Sequence, residues 1–291
     1  PFHSKTPYLN TDGGASVIKA AFFVGCLIDK IFPKIAEATI GVLKHHGVGI
    51  YLPEAQGCCG IPAASSGDTE SFKRLVQYNL KIFEAEKFDY LVTACATCTS
   101  TIKEMWPVLI GKEPEELVAG VKRISEKTLD IHQFLVAKVG LKQISQTTAK
   151  DPTGETYHDP CHLGRRGEPY KHWEGKRVDW GLTEPPRELN RGVNGYYEAP
   201  REILQAIPGL KLVEMERIKE YSWCCGSGAG AKSAYPDFAL STGQERIEEA
   251  KSTGASSLVS ACPWCEAHLR DSVDAMGESM KVYSLLELVK Q

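Results

Sequence analysis

The ten cysteines of the chain form two sets that share one order and almost one spacing. Each set has a single cysteine, then an adjacent pair followed by glycine, then a Cys-x-x-Cys pair. The first set comprises Cys26, Cys58, Cys59, Cys95 and Cys98, and the second comprises Cys161, Cys224, Cys225, Cys262 and Cys265. No cysteine lies outside the two sets, so the pattern predicts two thiolate-rich sites and a metal-centred function.

The spacing favours iron–sulfur clusters over other uses of these thiols. Structural zinc sites usually have four ligands, often from two Cys-x-x-Cys pairs, whereas each set has five cysteines and one such pair. Adjacent cysteines reach two metals of a cluster more easily than one small ion, and the glycine after each pair lets the backbone approach a bulky inorganic core. Zinc sites and redox or structural dithiols stay as alternatives, although clustered cysteines in the reducing cytosol are typically metal-binding or catalytic.

Length and composition are typical of a water-soluble globular protein. The 291 residues are 42% hydrophobic and 24% charged, and the net charge of −3 gives no electrostatic case for a nucleic-acid partner. No apolar stretch is long enough to span a bilayer, and no signal peptide is visible. We therefore expect a cytoplasmic protein that reaches a membrane complex only through partners. The chain starts at Pro1 without an initiator methionine, as a piece of a longer protein would.

The repeated spacing indicates an internal duplication. The last four cysteines of the two sets are separated by a nearly constant offset, whereas the offset between Cys26 and Cys161 is shorter. The second half therefore carries an insertion, from Gly164 to about Tyr197, which is rich in glycine, proline and charge. A polar run at 143–155 marks the predicted boundary between two domains, residues 1–150 and 151–291.

Alternating elements predict an α/β fold with a parallel sheet in each half. We predict strands at 17–24, 48–52 and 88–94 with helices at 33–46 and 68–85, then strands at 156–158, 210–215 and 257–260 with helices at 201–207 and 236–253. This is the pattern of two pseudo-symmetric, Rossmann-like βαβ cysteine-rich domains related by duplication. Since each cysteine group follows a strand, the five thiols of each half are expected to meet at the carboxyl edge of its sheet.

The order Cys, Cys-Cys-Gly, Cys-x-x-Cys resembles the cysteine-rich CCG domain of heterodisulfide reductase catalytic subunits, of both the B type and the fused D type. The resemblance extends over nearly the whole chain, from about Ile18 to the end. It implies an iron–sulfur oxidoreductase subunit that holds two noncubane [4Fe-4S] clusters, one on the five cysteines of each set. Some oxidase-type relatives lose ligands in one domain, whereas this chain keeps all ten cysteines, which favours the catalytic type.

The resemblance also implies a substrate and partners. In the family a disulfide is bound between the clusters and cleaved by one electron from each, so a disulfide or thiol small molecule is the expected substrate. The sequence shows no ferredoxin-type cysteine run and no flavin or nicotinamide motif, so a ferredoxin-type iron–sulfur subunit and a flavoprotein subunit are the expected partners. One alternative is an electron-relay subunit with no substrate of its own, as in glycolate or lactate oxidases, aromatic-ring reductases or bifurcating complexes. A zinc-based interaction scaffold is the non-enzymatic alternative.

Two histidines near Cys161 are the candidate catalytic residues. His158 or His162 would donate a proton to a leaving thiolate, because histidine titrates near neutral pH. Packing around the strand end is the alternative for both. Trp264, inside the last Cys-x-x-Cys, would shield a cluster from water or would only pack.

Basic and glycine-rich segments near the second set give weaker hypotheses. The insertion has an excess of basic residues that would attract an anionic thiol, a coenzyme A ester or an acidic partner, or would only be solvated: Arg165, Arg166, Lys171, Lys176 and Arg177. Lys232 would neutralise cluster charge or lie in solvent. The run from Gly226 to Gly230 resembles part of a dinucleotide loop, but it follows a cysteine pair, so close packing beside the cysteines is the prediction.

Overall fold

The computed structural model describes residues 1–6, 8–14, 18–141, 154–169, 171–188 and 191–289. Its strands are β1 (Leu9–Asn10), β2 (Lys19–Phe23), β3 (Gly49–Leu52), β4 (Tyr90–Thr93), β5 (Thr128–Asp130), β6 (Glu155–His158), β7 (Lys176–Arg177), β8 (Thr183–Glu184), β9 (Ser257–Ser260) and β10 (Lys281–Ser284). They form a five-stranded sheet in the first half, a three-stranded sheet in the second half and a separate two-stranded ribbon in the insertion.

The first sheet has the order β1-β3-β2-β4-β5, in which every pairing is parallel except that of β1 with β3. The apolar run of β2 fills its centre, because Ala20 to Phe23 are all fully buried. Helices of this half are α1 (Cys26–Lys30), α2 (Pro33–His45), α3 (Ile61–Ser66), α4 (Thr69–Phe83), α5 (Ala96–Ser100), α6 (Trp106–Ile110), α7 (Glu115–Lys127) and α8 (Ile131–Phe134). Asp68 caps α4 by accepting the Ser71 N–H at 3.0 Å, as its sequence position suggests.

The second sheet repeats this arrangement with fewer strands. Its order is β10-β9-β6, all parallel, and Leu212 forms a single parallel bridge with Glu155 on the outer side of β6. The predicted strand at 210–215 is thus reduced to one bridge, because Glu214 turns its carboxylate to Arg201 (2.6 Å) instead of continuing the ladder. Helices here are α9 (Glu198–Ala206), α10 (Ala231–Ala234), α11 (Pro236–Ser252), α12 (Pro263–Met276) and α13 (Leu285–Leu288).

The two halves follow the same plan and pack reciprocally. Reading β3-β2-β4-β5 against the Leu212 bridge-β6-β9-β10 gives the same strand order, which confirms the predicted α/β fold with internal duplication. Helix α8 of the first half packs on α9 of the second, and α13 of the second packs on α2 of the first. One continuous apolar core joins both sheets. The predicted boundary between the halves falls largely on residues 142–153, outside the described residues.

The insertion forms a small surface unit of its own. Strands β7 and β8 pair as an antiparallel ribbon that joins neither large sheet. Its Lys176 faces Glu184 at 3.3 Å, and Lys171 faces Glu188 at 3.0 Å, all on exposed side chains. Several predicted cationic groups of the insertion are therefore already paired on the surface. Among the described residues, no helix has both the length and the apolar character needed to cross a membrane.

Candidate metal centre

All ten thiols lie at or just beyond the carboxyl ends of the two parallel sheets. Cys26 follows β2 and Cys95 follows β4, while Cys161 follows β6 and Cys262 follows β9. Each Cys-x-x-Cys spans the start of a helix, so that Cys98 lies in α5 and Cys265 in α12. All ten cysteines are free of disulfides. The expected convergence of the thiols is therefore what this fold produces.

The first set is a chain of neighbouring sulfur atoms. The Sγ atoms of Cys26 and Cys58 are 3.6 Å apart. Cys59 contacts Cys58 and Cys98, and Cys98 contacts Cys95. Cys26 is exposed, whereas Cys59, Cys95 and Cys98 are buried.

Buried polar side chains fix the loop that carries the first cysteine pair. Gln56 bonds the edge of β2 through both ends of its amide, at Val24 N and Phe22 O (2.9 Å each). Asn79 on α4 accepts from Gly57 N (2.8 Å) and donates to the Cys58 carbonyl (2.9 Å). These bonds hold the loop in place of further strand pairing, which makes the position of the thiols rigid.

The indole of Trp106 holds the same cysteine pair from the other side. Its Nε1–H donates to the Cys59 carbonyl at 2.8 Å, and the side chain is fully buried. Trp106 therefore satisfies a carbonyl that would otherwise be buried without a partner.

The second set has the same internal contacts. Cys161 contacts Cys224, Cys225 contacts Cys265, and Cys265 contacts Cys262. The N–H of Gly226 points at Cys224 Sγ (3.3 Å), just as the N–H of Gly60 points at Cys58 Sγ (3.5 Å). Both glycines have positive φ, 93° and 97°, a conformation that side-chain-bearing residues rarely adopt.

Matching contacts produce matching electrostatics in the two sets. The pKa of Cys58 is lowered because the thiols of Cys26 and Cys59 and the Gly60 N–H donate to it, and the pKa of Cys26 is raised by the same contact. In the second set the pKa of Cys224 is lowered by Cys161, and that of Cys161 is raised. The first cysteine of each adjacent pair is therefore the thiolate position of its set.

The two sets are not separate sites but touch each other. Cys95 of the first set is in hydrogen-bond contact with Cys262 of the second. The hydroxyl of Thr97, inside the first Cys-x-x-Cys, lies 3.6 Å from Cys262 Sγ. The two predicted sites thus form one centre at the junction of the halves, which the sequence did not reveal.

The two candidate catalytic histidines occupy different environments. His158 is 1% exposed, and burial together with the nearby Arg246 guanidinium lowers its pKa to about 3. His162 is hydrogen-bonded to Ser100 of the first half, and burial and Arg166 lower its pKa to about 4. Both imidazoles are neutral at pH 7, so a donated proton would come from a neutral N–H group. That either one acts as proton donor stays a prediction.

A cleft of about 370 Å³ opens beside the second set. Its wall includes all five second-set cysteines together with His162, Arg166 and Trp264, and helix α3 of the first half closes the opposite side. This volume is within the range of small-molecule sites. Only about 10 Å³ of free space adjoins the first set. Ile61, Pro62 and Trp264 border both spaces and so form the partition between them.

The remaining predicted residues are partly committed elsewhere. Lys232 borders the cleft but forms an ion pair with Asp271. Arg165 donates to the carbonyls of Glu220 and Ser222, which ties the insertion to the loop before the second cysteine pair. Arg166 is the insertion residue that reaches the cleft wall in the described part of the chain. The segment Gly228 to Gly230 lines the cleft as well, whereas Gly226 packs against α11.

The donor set suits an iron–sulfur cluster in each half. Cysteine thiolates are the usual ligands of such clusters, and here five free thiols per half converge within contact distance, most of them shielded from water. No described aspartate or glutamate belongs to either group of contacting thiols, and the described metal-site candidate is His158 with Cys225 and Cys265. Sequence analysis missed Asn79, Trp106, Ser100 and Arg246, which position these groups from helices without any motif.

Relatives of the chain carry iron–sulfur or redox names. It is 33% identical to the D-type subunit of dihydromethanophenazine:CoB–CoM heterodisulfide reductase of Methanosarcina acetivorans, over 93% of the chain and 58% of the relative. It is 31% identical to the B-type subunit of fumarate reductase (CoM/CoB) of Methanothermobacter marburgensis, over 93% of the chain and 46% of the relative. Lactate utilization protein A of Exiguobacterium sp. is 26% identical, over 93% of the chain and 96% of the relative.

The chain spans about half the length of the first two of these relatives. The family described as "CCG: Cysteine-rich domain" matches residues 20–103 and 188–270, together more than half of the chain. Each matched segment covers cysteines of one set, and the two segments correspond to the two halves of the fold. The chain therefore belongs to the CCG cysteine-rich domain family, with two copies of the domain.

Proposed function

We propose that the chain is an iron–sulfur oxidoreductase subunit of the heterodisulfide reductase type. Its domains, 1–150 and 151–291, would each hold one noncubane [4Fe-4S] cluster on five cysteines. The observation that carries the proposal is the pair of five-thiol sets that meet at Cys95 and Cys262. When bound, such clusters supply one-electron transfer. The names of the relatives support the iron–sulfur redox role.

Disulfide or thiol redox chemistry would take place in the cleft beside the second set. The cleft is open, and the insertion contributes Arg166 to its wall rather than filling it. Arg166 would attract an anionic end of a small molecule, while His162, held by Ser100, would present its other ring nitrogen as a hydrogen-bond donor or acceptor. Trp264 would keep water from the thiols at the partition.

An electron-relay subunit without its own substrate is the second candidate. The relative that is matched over almost its whole length is a lactate utilization protein, and the first set has little free space beside it. In both candidates the chain would work with a ferredoxin-type iron–sulfur subunit and a flavoprotein subunit. This expectation fits the subunit names of the longer relatives.

Iron, acid-labile sulfide and zinc on anaerobically purified protein test the proposal, together with EPR spectra before and after thiol addition. Two [4Fe-4S] clusters give about eight irons and eight sulfides per chain. A paramagnetic signal that appears with added thiol supports the substrate-binding candidate. About eight irons without a thiol response favours the relay, and zinc without sulfide refutes both.

Single cysteine variants locate the clusters. Cys59→Ser and Cys225→Ser occupy equivalent buried positions in the two sets. Each should remove about half of the iron and sulfide while the spectrum of the other cluster persists. Loss of all iron from either variant would contradict the assignment of one cluster to each set.

A further inference from the structure

Equivalent positions around the two thiol sets differ in one consistent way. The strand registers identify the first pair of positions, because Phe23 pairs with Thr93 in the first sheet and His158 pairs with Ser260 in the second. Phe23 lies beside Cys98 at Gly25, and His158 lies beside the equivalent Cys265. An apolar ring at the first set is thus replaced by an imidazole at the second.

The same replacement occurs after each Cys-Cys-Gly. Ile61 follows Gly60 and borders the first set, while Ser227 follows Gly226 and places its hydroxyl 3.3 Å from Cys225 Sγ. An apolar side chain at the first set is again replaced by a hydrogen-bonding group at the second.

It occurs a third time between the halves. The third residue of each Cys-x-x-Cys reaches toward the opposite set: Thr97 puts its hydroxyl 3.6 Å from Cys262 Sγ, and Trp264 puts its ring beside the first set. Backbone N–H groups serve both sets alike, as at Gly60 and Gly226. Side chains therefore make the second set polar and the first set apolar.

The hydrogen bonds of His158 assign its proton. Arg246 Nε, which can only donate, lies 3.1 Å from His158 Nδ1, so Nδ1 accepts and the neutral ring carries its proton on Nε2. Nε2 is buried and has no hydrogen-bond partner among the described residues. A ring nitrogen of His158 and the Sγ atoms of Cys225 and Cys265 lie within 4.8 Å of one another. The tautomer makes His158 an N–H donor toward thiolate sulfur rather than a metal ligand.

We infer that the second set is the higher-potential site of the pair, where electrons collect next to the cleft, and that His158, Ser227 and Thr97 make it so. The inference rests on the proposed cluster function. Hydrogen bonds to cluster sulfurs and solvent exposure are main determinants of reduction potential, since they stabilise the more negative, reduced state. The first set, bordered by Phe23, Ile61 and Trp264, is then the lower-potential entry site.

EPR-monitored redox titration of the anaerobically purified protein tests this inference. Wild type should show two midpoints, and His158→Phe, which copies the first set, should lower only the higher one. We expect about a tenfold change in the reduction equilibrium, which is 59 mV for one electron. Thr97→Val and Ser227→Ala should lower the same midpoint by less. The matched control is Thr101→Val, whose buried hydroxyl bonds the Thr97 carbonyl instead of sulfur, and it should shift neither midpoint.

The outcomes separate the inference from the function on which it rests. A shift of the lower midpoint, equal shifts of both, or no shift in all three variants overturns the inference while iron and sulfide remain at full content. If His158→Phe does not assemble clusters, Thr97→Val and Ser227→Ala still decide. Weak nitrogen coupling with an exchangeable proton in wild-type spectra supports a donor, whereas strong coupling identifies His158 as a ligand and overturns the role given to it. Absence of iron and sulfide from wild type refutes the proposed function itself.

Discussion

Replacing Arg201 with methionine should destabilise the second half strongly. Arg201 is 6% exposed and donates to both oxygens of Asp159, at 2.7 and 2.9 Å, and to Glu214 at 2.6 Å. Asp159 is 3% exposed, and it also accepts the Lys219 N–H at 2.8 Å. Without Arg201, a buried carboxylate keeps that N–H as its remaining described partner. The segments before and after the insertion would lose their common anchor.

The expected magnitude follows from the burial of the pair. Removing one partner of a buried ion pair costs about 3–5 kcal/mol, because the other charge stays uncompensated. Exposed pairs contribute roughly 0.2–1 kcal/mol. Lys171 and Glu188 provide the comparison, since they are 3.0 Å apart but 76% and 78% exposed. Arg201→Met should therefore lower the free energy of unfolding several times more than Lys171→Met.

Urea denaturation under anaerobic conditions, followed by circular dichroism, measures both variants. The double variant Arg201→Met with Asp159→Asn should recover part of the loss, because it removes the unpaired charge. If Arg201→Met unfolds at the same urea concentration as Lys171→Met, or if the double variant is less stable than the sum of the single losses, the reasoning is wrong.

Two further predictions concern a glycine and a carboxylate. Gly226→Ala should cost about 1–3 kcal/mol, because φ is 93° and a Cβ would meet the Ala239 carbonyl of α11; a lower urea midpoint checks this, and an unchanged midpoint contradicts it. Burial opposes ionisation of Asp29, but bonds from the His3 backbone, Lys30 and the His3 ring lower its pKa to about 2 from 3.8. Its stabilising effect is complete above pH 3.8 and disappears as pH falls through 2, so Asp29→Asn should flatten the acid loss of stability; equal acid profiles would refute the assignment.

The convergence of the thiols was predictable because it depends on a general property of the fold. Parallel strands end at one edge, so cysteines that directly follow strands must approach each other there. The helix at 69–83 was predictable for a similarly local reason, since its apolar periodicity and Asp68 are both visible in sequence. Local patterns and chain order were sufficient for these features.

Contacts between the halves were not predictable from the same patterns. The Cys95–Cys262 contact depends on how two sheets pack, and no periodicity encodes that geometry. Arg246 lies within an ordinary charged helix sequence, yet it is fully buried and directs His158. The strand expected at 210–215 failed because Glu214 is bound by Arg201, a long-range pairing that overrides β-propensity.

The reciprocal packing of helices has a consequence for how the chain holds together. Helix α8 lies on α9 and α13 lies on α2, and Leu285, Leu286 and Phe134 in these contacts are fully buried. This is the contact pattern of an isologous dimer, in which patch i meets patch j and patch j meets patch i. The two repeats are therefore fused protomers rather than independent folding units. A protease cut between Leu141 and Gly154 should leave two fragments that migrate as one particle until a denaturant separates them.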